Sequence, residues 1–120
     1  MKIIKHAAEY CSFYIAGSIE GRIPIDVEGR QFAFDSRCIN VGCIAGQFDD
    51  VEITILSPGE TVPDAPPALD RFISTSEGMV IFFDALVDNI HTLPVTGKKT
   101  RIRIWVNNNR EADKVTVAVG

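Results

Sequence analysis

The residues of this chain best suited to metal binding or nucleophilic catalysis are three cysteines and two histidines: Cys11, Cys38, Cys43, His6 and His91. A structural zinc site uses close cysteine pairs in matched sets, with about two to four residues between the members of a pair. Only Cys38 and Cys43 are that close, and they lie in an almost continuously apolar segment. No local motif marks a cysteine as a nucleophile with a histidine base. We therefore interpret Cys38 and Cys43 as small buried hydrophobes and predict no catalytic residue, metal site or cofactor.

Acidic side chains are the stronger candidates for binding. Residues 1–97 carry 14 acidic and 6 basic side chains, a charge of −8, whereas residues 98–120 carry 2 acidic and 6 basic ones, a charge of +4. The acidic body repels a phosphate backbone, which argues against nucleic acid as the partner. It attracts a basic protein, although acidic surfaces also serve solubility alone. We predict that four carboxylates on turns or on the longest loop bind the partner: Asp49, Asp50, Glu60 and Asp64.

The basic C-terminal part contains a stripe of side chains that would share one face of a strand: Lys99, Arg101, Arg103 and Trp105. Positive charge beside an aromatic ring suits single-stranded nucleic acid. The same pattern is typical of a solvated sheet face on which arginine stems cover a tryptophan ring. We favour the second interpretation.

The elements that must position these residues are short strands. Apolar and polar residues alternate with a period of two over 51–56, 99–106 and 114–119, which predicts strands with one buried face. Similar patterns predict further strands at 9–16, 22–27, 31–34, 38–45, 71–75, 79–83 and 90–93. Residues 84–89 fit either a helical turn capped by Asp84 or a strand. About nine or ten short strands indicate an all-β fold, a single-domain antiparallel two-sheet sandwich over residues 1–120.

The connections between these strands are predicted from turn residues. Glu28-Gly29 is a turn, 38–56 is predicted to form one hairpin, and 71–83 a second hairpin around residues 76–78. Residues 57–68 contain four prolines and form the one long loop, either a crossing between the two sheets or an exposed functional loop. No apolar run approaches the roughly 20 residues of a membrane span. The odd, sparse cysteine count is typical of reduced thiols, so we expect a cytoplasmic protein with no membrane partner.

The segment from residue 72 to residue 106 carries a further pattern. The run 72–81 (FISTSEGMVI) is followed by Leu93-Pro94, then Gly97, then Ile104-Trp105. This order resembles the competence protein J family, which includes an inhibitor of a DNA-entry nuclease. In that family a strand ending in Thr-x-x-Gly precedes an apolar strand, and a Leu-Pro-x-Gly-like turn leads into a strand ending near a tryptophan. This chain differs by one inserted residue, Thr96, and by Lys99 in place of an aromatic.

The resemblance implies a small acidic β-sandwich that binds and inhibits a nuclease, and it carries over no individual binding residue. Our leading hypothesis is therefore a non-enzymatic protein-binding module, an inhibitor or immunity partner that places acidic loops over a basic cleft. A second hypothesis is a small-ligand or carbohydrate-binding sandwich that stacks ligands on Tyr10, Tyr14 or Trp105. A third is a structural or assembly subunit that pairs through an exposed edge strand at 114–119.

Overall fold

The computed structural model describes residues 1–25, 31–109 and 111–120. Within them the chain forms ten short strands and one 3-10 turn, Glu9–Cys11. The strands are β1 Lys2–His6, β2 Ser12–Ala16, β3 Phe32–Phe34, β4 Cys38–Gly42, β5 Val51–Leu56, β6 Leu69–Ser74, β7 Met79–Phe83, β8 His91–Pro94, β9 Lys99–Val106 and β10 Lys114–Val119. No helix in these ranges has the length and apolar character needed to cross a bilayer.

The ten strands form two five-stranded sheets, ordered β1-β5-β10-β9-β6 and β3-β4-β2-β7-β8. Neighbouring strands are antiparallel except β5 and β10, which are parallel. The predicted all-β two-sheet sandwich is confirmed, with one parallel pair in its first sheet. Because β10 lies between β5 and β9, residues 114–119 are not an exposed edge, and the hypothesis of assembly through that strand is wrong.

Period-two alternation buries one face of each sheet in a shared core, because successive side chains of a strand point to opposite faces. In β2 and β7, Phe13 and Phe82 are fully buried, and their rings stack with centroids 6.5 Å apart. The other core side chains of the second sheet include Ile15, Ile39, Val41 and Val80, and the first sheet contributes Val51, Ile53, Ile55, Ile102, Ile104, Val115 and Val117.

The outer face of the second sheet is also largely buried. A smaller apolar cluster lies there, made by Tyr14, Ala16, Cys38, Ile81 and Phe83. Ile23 packs against this cluster, and the side chains of Arg37 and Asn40 donate hydrogen bonds to backbone carbonyls of the segment 20–24. The segment 20–24 therefore lies over this face of the sheet, which explains why β2 and β7 are apolar on both faces. Tyr14 is buried beneath it and offers no exposed ring for stacking.

The long loop 57–68 joins β5 to β6, which belong to the same sheet, so it is not a crossing between the two sheets. β10 and β9 lie between the two strands that it connects. On its way it passes the outward face of β9, where the Trp105 indole N–H donates to the Ala65 carbonyl at 2.8 Å. Leu56 and Ala118 alternate away from the shared core but are buried. We infer that the loop lies across this outer face.

Both predicted hairpins are wrong. β4 and β5 belong to different sheets, and so do β6 and β7, so the connections 43–50 and 75–78 pass from one sheet to the other. The turn after β6 has the local hydrogen bond of a hairpin, from the Gly78 amide to the Thr75 carbonyl at 2.9 Å. However, β6 pairs with β9, and the Thr75 amide donates to the Lys98 carbonyl. Alternation fixes which face of a strand is buried, but not which strand lies beside it.

Several elements differ from the prediction. The strand predicted at 38–45 ends at Gly42, because the amides of Cys43 and Ile44 donate to carbonyls of other loops. The strands predicted at 31–34, 71–75 and 90–93 are displaced at their ends by one or two residues. The strand predicted at 9–16 begins only at Ser12, because Tyr10 and Cys11 adopt positive φ angles of 54° and 58°. β1 was not predicted. Residues 22–25 are not in a strand, and the rest of the predicted strand 22–27, with the Glu28-Gly29 turn, lies outside the described residues. The segment 84–89 forms neither a helix nor a strand.

Candidate functional site

One end of the sandwich gathers the connections 7–11, 43–50, 84–90, 107–109 and 111–113, and we call it the loop end. β1, β4, β7 and β9 finish there, and β2, β5, β8 and β10 start there. Loops that cluster on a rigid sandwich are the usual place for binding residues. This end is therefore the best candidate for a binding site.

The backbones of three connections are hydrogen-bonded to one another at the loop end. The Cys43 amide donates to the Cys11 carbonyl at 2.9 Å, the Gly46 amide to the Ala8 carbonyl at 3.0 Å, and the Ile44 amide to the Ala112 carbonyl at 3.0 Å. A side chain at Gly46 would place its Cβ 2.8 Å from the Ala7 carbonyl carbon, so glycine is required for this close approach. These contacts hold the loops in a defined arrangement.

Asp84 joins two of the connections through its buried carboxylate. One oxygen contacts His6 Nε2, and the other accepts hydrogen bonds from the backbone amides of Leu86 at 2.9 Å and Val87 at 2.8 Å. Burial raises the pKa of Asp84, but the hydrogen bonds from His6 and the two amides outweigh it and hold the pKa below its ordinary value. The predicted cap residue thus stabilises a turn and also ties β1 to the loop after β7.

Two of the predicted partner-binding residues, Asp49 and Asp50, are exposed at the loop end. They line a shallow depression together with Glu52 and Asp113, and Lys5 and Lys114 complete its lining. Lys5 of β1 and Lys114 of β10 are both register partners of Glu52 in the central strand β5. Positive and negative charges therefore alternate across these three strands. Asp49 and Asp50 are therefore brought together with two further carboxylates that the sequence did not single out.

The other two predicted residues lie elsewhere. The Glu60 carboxylate is 2.6 Å from the N-terminal ammonium group of Met1 and accepts a hydrogen bond from the Ser57 amide at 2.9 Å. These two contacts hold the pKa of Glu60 below its ordinary value. Asp64 is exposed on the long loop, next to the contact between Ala65 and Trp105. The four carboxylates therefore do not form one patch.

The basic stripe of β9 is occupied by contacts within the protein. The Arg101 guanidinium donates a bidentate pair of hydrogen bonds to the Asp70 carboxylate, with N–O distances of 2.8 and 2.6 Å. The Arg103 guanidinium lies 5.9 Å from the centre of the Trp105 ring. The stripe is therefore solvated at Lys99 and Arg101, as predicted, whereas the loop 57–68 covers it near Trp105.

Two large side chains are exposed at the loop end: Tyr10, which was predicted as a ring for ligand stacking, and Phe48, which was not predicted. Tyr10 is 78% exposed and Phe48 is 76% exposed, and both line a groove between residues 7–11 and 45–48. Leu86 is also exposed at this end, in the turn held by Asp84. The exposure of Phe48 could have been predicted, because this aromatic residue lies between Gln47 and Asp49 in a polar turn.

The cysteines differ sharply in their surroundings. Cys38 and Cys43 are buried, and burial raises the pKa of each thiol to about 12. Cys11 is exposed, and all three cysteines are free. Among the described residues, no group of three or more histidine, cysteine, aspartate or glutamate side chains is arranged to hold a metal ion.

We expect a disulfide reagent such as 5,5′-dithiobis(2-nitrobenzoate) to label one thiol rapidly in the folded protein and three after denaturation. The thiolate is the reactive form, and it is scarce and inaccessible at Cys38 and Cys43. A Cys11→Ser variant should lose the rapid phase and keep the other two thiols. Rapid labelling of that variant would contradict the assignment.

Neither the protein-family models nor the curated proteins give a match to this sequence. The solved structures do. The fold matches ComJ, an inhibitor of the DNA degrading activity of NucA, from Bacillus subtilis. The match has a TM-score of 0.70 at 10% sequence identity, and it covers 99% of this chain and 94% of ComJ.

The resemblance predicted from residues 72–106 is thereby confirmed at the level of the fold. Those residues make up half of β6 and all of β7, β8 and β9, so the pattern includes strands of both sheets of the sandwich. At 10% identity the similarity to ComJ concerns the arrangement of strands and not the identity of surface residues. The binding residues of this chain must therefore be argued from its own surface.

Proposed function

We propose that this chain is a small cytoplasmic protein-binding module that inhibits a nuclease by binding to it, and that it does not act as an enzyme. The observation that carries the proposal is the fold shared with ComJ over nearly the whole length of both chains. The expected partner is a basic protein, because a surface of net charge −4 attracts positive charge. A nuclease suits that expectation, since its substrate is a polyanion.

The loop end is the part of the surface that best supports such binding. It combines exposed carboxylates at Asp49 and Asp50 with exposed aromatic rings at Tyr10 and Phe48, on loops whose backbones are bonded together. Protein interfaces combine apolar anchors with a charged rim in this manner. In this proposal Asp49 and Asp50 steer and orient the partner, whereas Glu60 serves mainly to hold the N-terminus.

The proposal is tested by depleting nuclease activity from a cell extract of the source organism. The extract is passed at about 50 mM salt over immobilised protein and over a blank column, and DNA degradation is measured in the two flow-through fractions. We expect lower activity after the protein column, recovery of the activity by elution at about 500 mM salt, and renewed inhibition when free protein is added back at low salt. Equal activity in the two flow-through fractions would overturn the proposal.

Neutralising two carboxylates at the loop end should weaken binding in a salt-dependent way. We expect Asp49→Asn together with Asp50→Asn to raise the Kd for the eluted nuclease by about threefold to tenfold near 50 mM salt, because charges at an interface rim mainly set the association rate. The difference should shrink near 500 mM salt, where screening is strong. Surface plasmon resonance at both salt concentrations measures the two rate constants.

The matched control removes two carboxylates elsewhere, with Glu20→Gln and Glu77→Gln. Both residues are exposed, and both lie towards the opposite end of the sandwich, near the Arg37 side chain. The two double variants have equal net charge, so a difference between them reports position. Equal weakening by both pairs would mean that only the overall charge matters and that Asp49 and Asp50 are not the binding carboxylates.

A further inference from the structure

A groove of about 540 Å³ lies at the loop end between residues 7–11 and 45–48. This volume is in the range of sites that take a small ligand or a side chain. Its lining includes the small residues Ala7, Ala45 and Gly46. Tyr10 and Phe48 also line it, with most of their surface in solvent. Single exposed apolar side chains are common, but two aromatic rings lining one groove form a patch of the kind that marks interaction sites.

Both aromatic residues are held by well-defined backbone. Phe48 belongs to a turn in which the amides of Phe48 and Asp49 donate to the Ala45 carbonyl, at 2.9 and 3.2 Å. Tyr10 has φ 54° within the 3-10 turn, and the next residue, Cys11, is fixed by the hydrogen bond that its carbonyl accepts from the Cys43 amide. The backbone that carries both rings is thus already ordered. Binding to the rings therefore costs little additional backbone entropy.

The rim of the groove is negatively charged. Glu9 lines it, and Asp49 follows Phe48 directly. Within residues 1–25, 31–109 and 111–120, neither carboxylate takes part in an ion pair. Aromatic faces beside unpaired carboxylates attract a cationic side chain that also has an apolar stem, since the stem packs on the rings and the head meets the charge.

We propose that this groove, between residues 7–11 and 45–48, receives an arginine or lysine side chain of the cationic nuclease, packed between Tyr10 and Phe48 with its head towards Glu9 and Asp49. This inference rests on the proposed function and names the docking surface for it. The choice of occupant follows from charge complementarity, because a positive head is the one that the rim of this groove matches. The two rings are its central anchors, and the carboxylates form its rim.

The test replaces the two rings with residues that suit the local backbone. Asparagine tolerates the left-handed conformation at position 10, so Tyr10→Asn removes the ring without new strain. Phe48→Ser removes the other ring from an exposed turn. The matched control is Phe72→Ser, which removes a ring that is 58% exposed on a strand of the first sheet, outside the groove. Circular dichroism melts confirm that each variant is folded.

The probe is the nuclease recovered in the high-salt eluate described above, and the Kd is measured at about 50 and 500 mM salt. We expect each groove variant to raise the Kd about tenfold or more, as truncation of an interface anchor does, and the control to change it less than twofold. The groove effect should persist at 500 mM salt, because packing on a ring is screened far less than a rim charge.

Three results would overturn the proposal. Groove variants that bind as tightly as the parent protein, while the parent inhibits, would show that the nuclease docks elsewhere. An effect that disappears at 500 mM salt would show that the rings do not act as packing anchors. A parent protein that self-associates in sedimentation, with groove variants that remain monomeric, would mean that a second copy occupies the groove. Failure of the proposed function is distinct from these, because then the parent protein would retain no nuclease at all.

Discussion

Replacing Phe82 with alanine is expected to lower the free energy of unfolding by about 3–5 kcal/mol, the usual cost of deleting a large aromatic side chain from a core. Phe82 is fully buried in β7 and stacks on Phe13 of the adjacent strand β2. The cost includes the lost transfer of the ring from water and the cavity that remains between the sheets. A domain of this size has only about 5–15 kcal/mol of stability, so the replacement removes between about a fifth and all of it.

Urea unfolding followed by circular dichroism measures this loss, and Phe72→Ala is the control. Phe72 is 58% exposed, so its replacement should change the free energy of unfolding by less than about 1 kcal/mol. If Phe82→Ala fails to fold, Phe82→Leu gives a smaller loss that can be measured. Similar losses at positions 72 and 82 would contradict the assignment of the core.

Replacing Asp84 with alanine is expected to lower the free energy of unfolding by about 3 kcal/mol. The replacement leaves His6 and the amides of Leu86 and Val87 without their common acceptor. Buried donors that lose a charged partner are costly, and the loss also releases β1 from the loop after β7. Asp88→Ala is the matched control, because Asp88 is an exposed aspartate of the same connection and should change stability by less than about 0.5 kcal/mol.

The contribution of Asp84 to the free energy of unfolding should also depend on pH. Because the pKa of Asp84 is lower in the folded protein than its ordinary value of about 3.9, the ionised group stabilises the fold fully above that value. The stabilisation is lost as pH falls through the lowered folded value. The stability gap between the parent protein and Asp84→Asn should therefore narrow as the pH of urea unfolding is lowered from about 5 to below the ordinary value of about 3.9. A constant gap over that range would contradict the role given to the carboxylate.

The strands were largely predictable because alternation reports burial directly. The predicted strands 51–56, 99–106 and 114–119 coincide with β5, β9 and β10. β1 was not predicted. It is an edge strand in which Ile4 is the apolar residue packed against the core, so its sequence shows little alternation of apolar and polar residues. The strand predicted at 9–16 was too long, because the residue types of Tyr10 and Cys11 do not indicate their positive φ angles.

The candidate site was only partly predictable. Turn chemistry identified Asp49 and Asp50 as exposed, and the structure places them with Glu52 and Asp113 across neighbouring strands. The same reasoning selected Glu60, whose carboxylate is paired with the N-terminus some sixty positions away. It did not select Phe48, and it named Tyr10 only together with the buried Tyr14, because exposure of an aromatic ring depends on the packing of its neighbours.

The sequence by itself determined that this chain is a two-sheet β-sandwich with an acidic surface and buried thiols at Cys38 and Cys43, because periodicity, charge and apolar context are properties of residues and their near neighbours. Only the tertiary structure decided which strands pair. It placed β4 with β2 and β3, and β5 with β1 and β10, against both predicted hairpins. Pairing depends on contacts between residues far apart in the chain, so it also decided which loops meet at one end and which carboxylates and rings share a surface there.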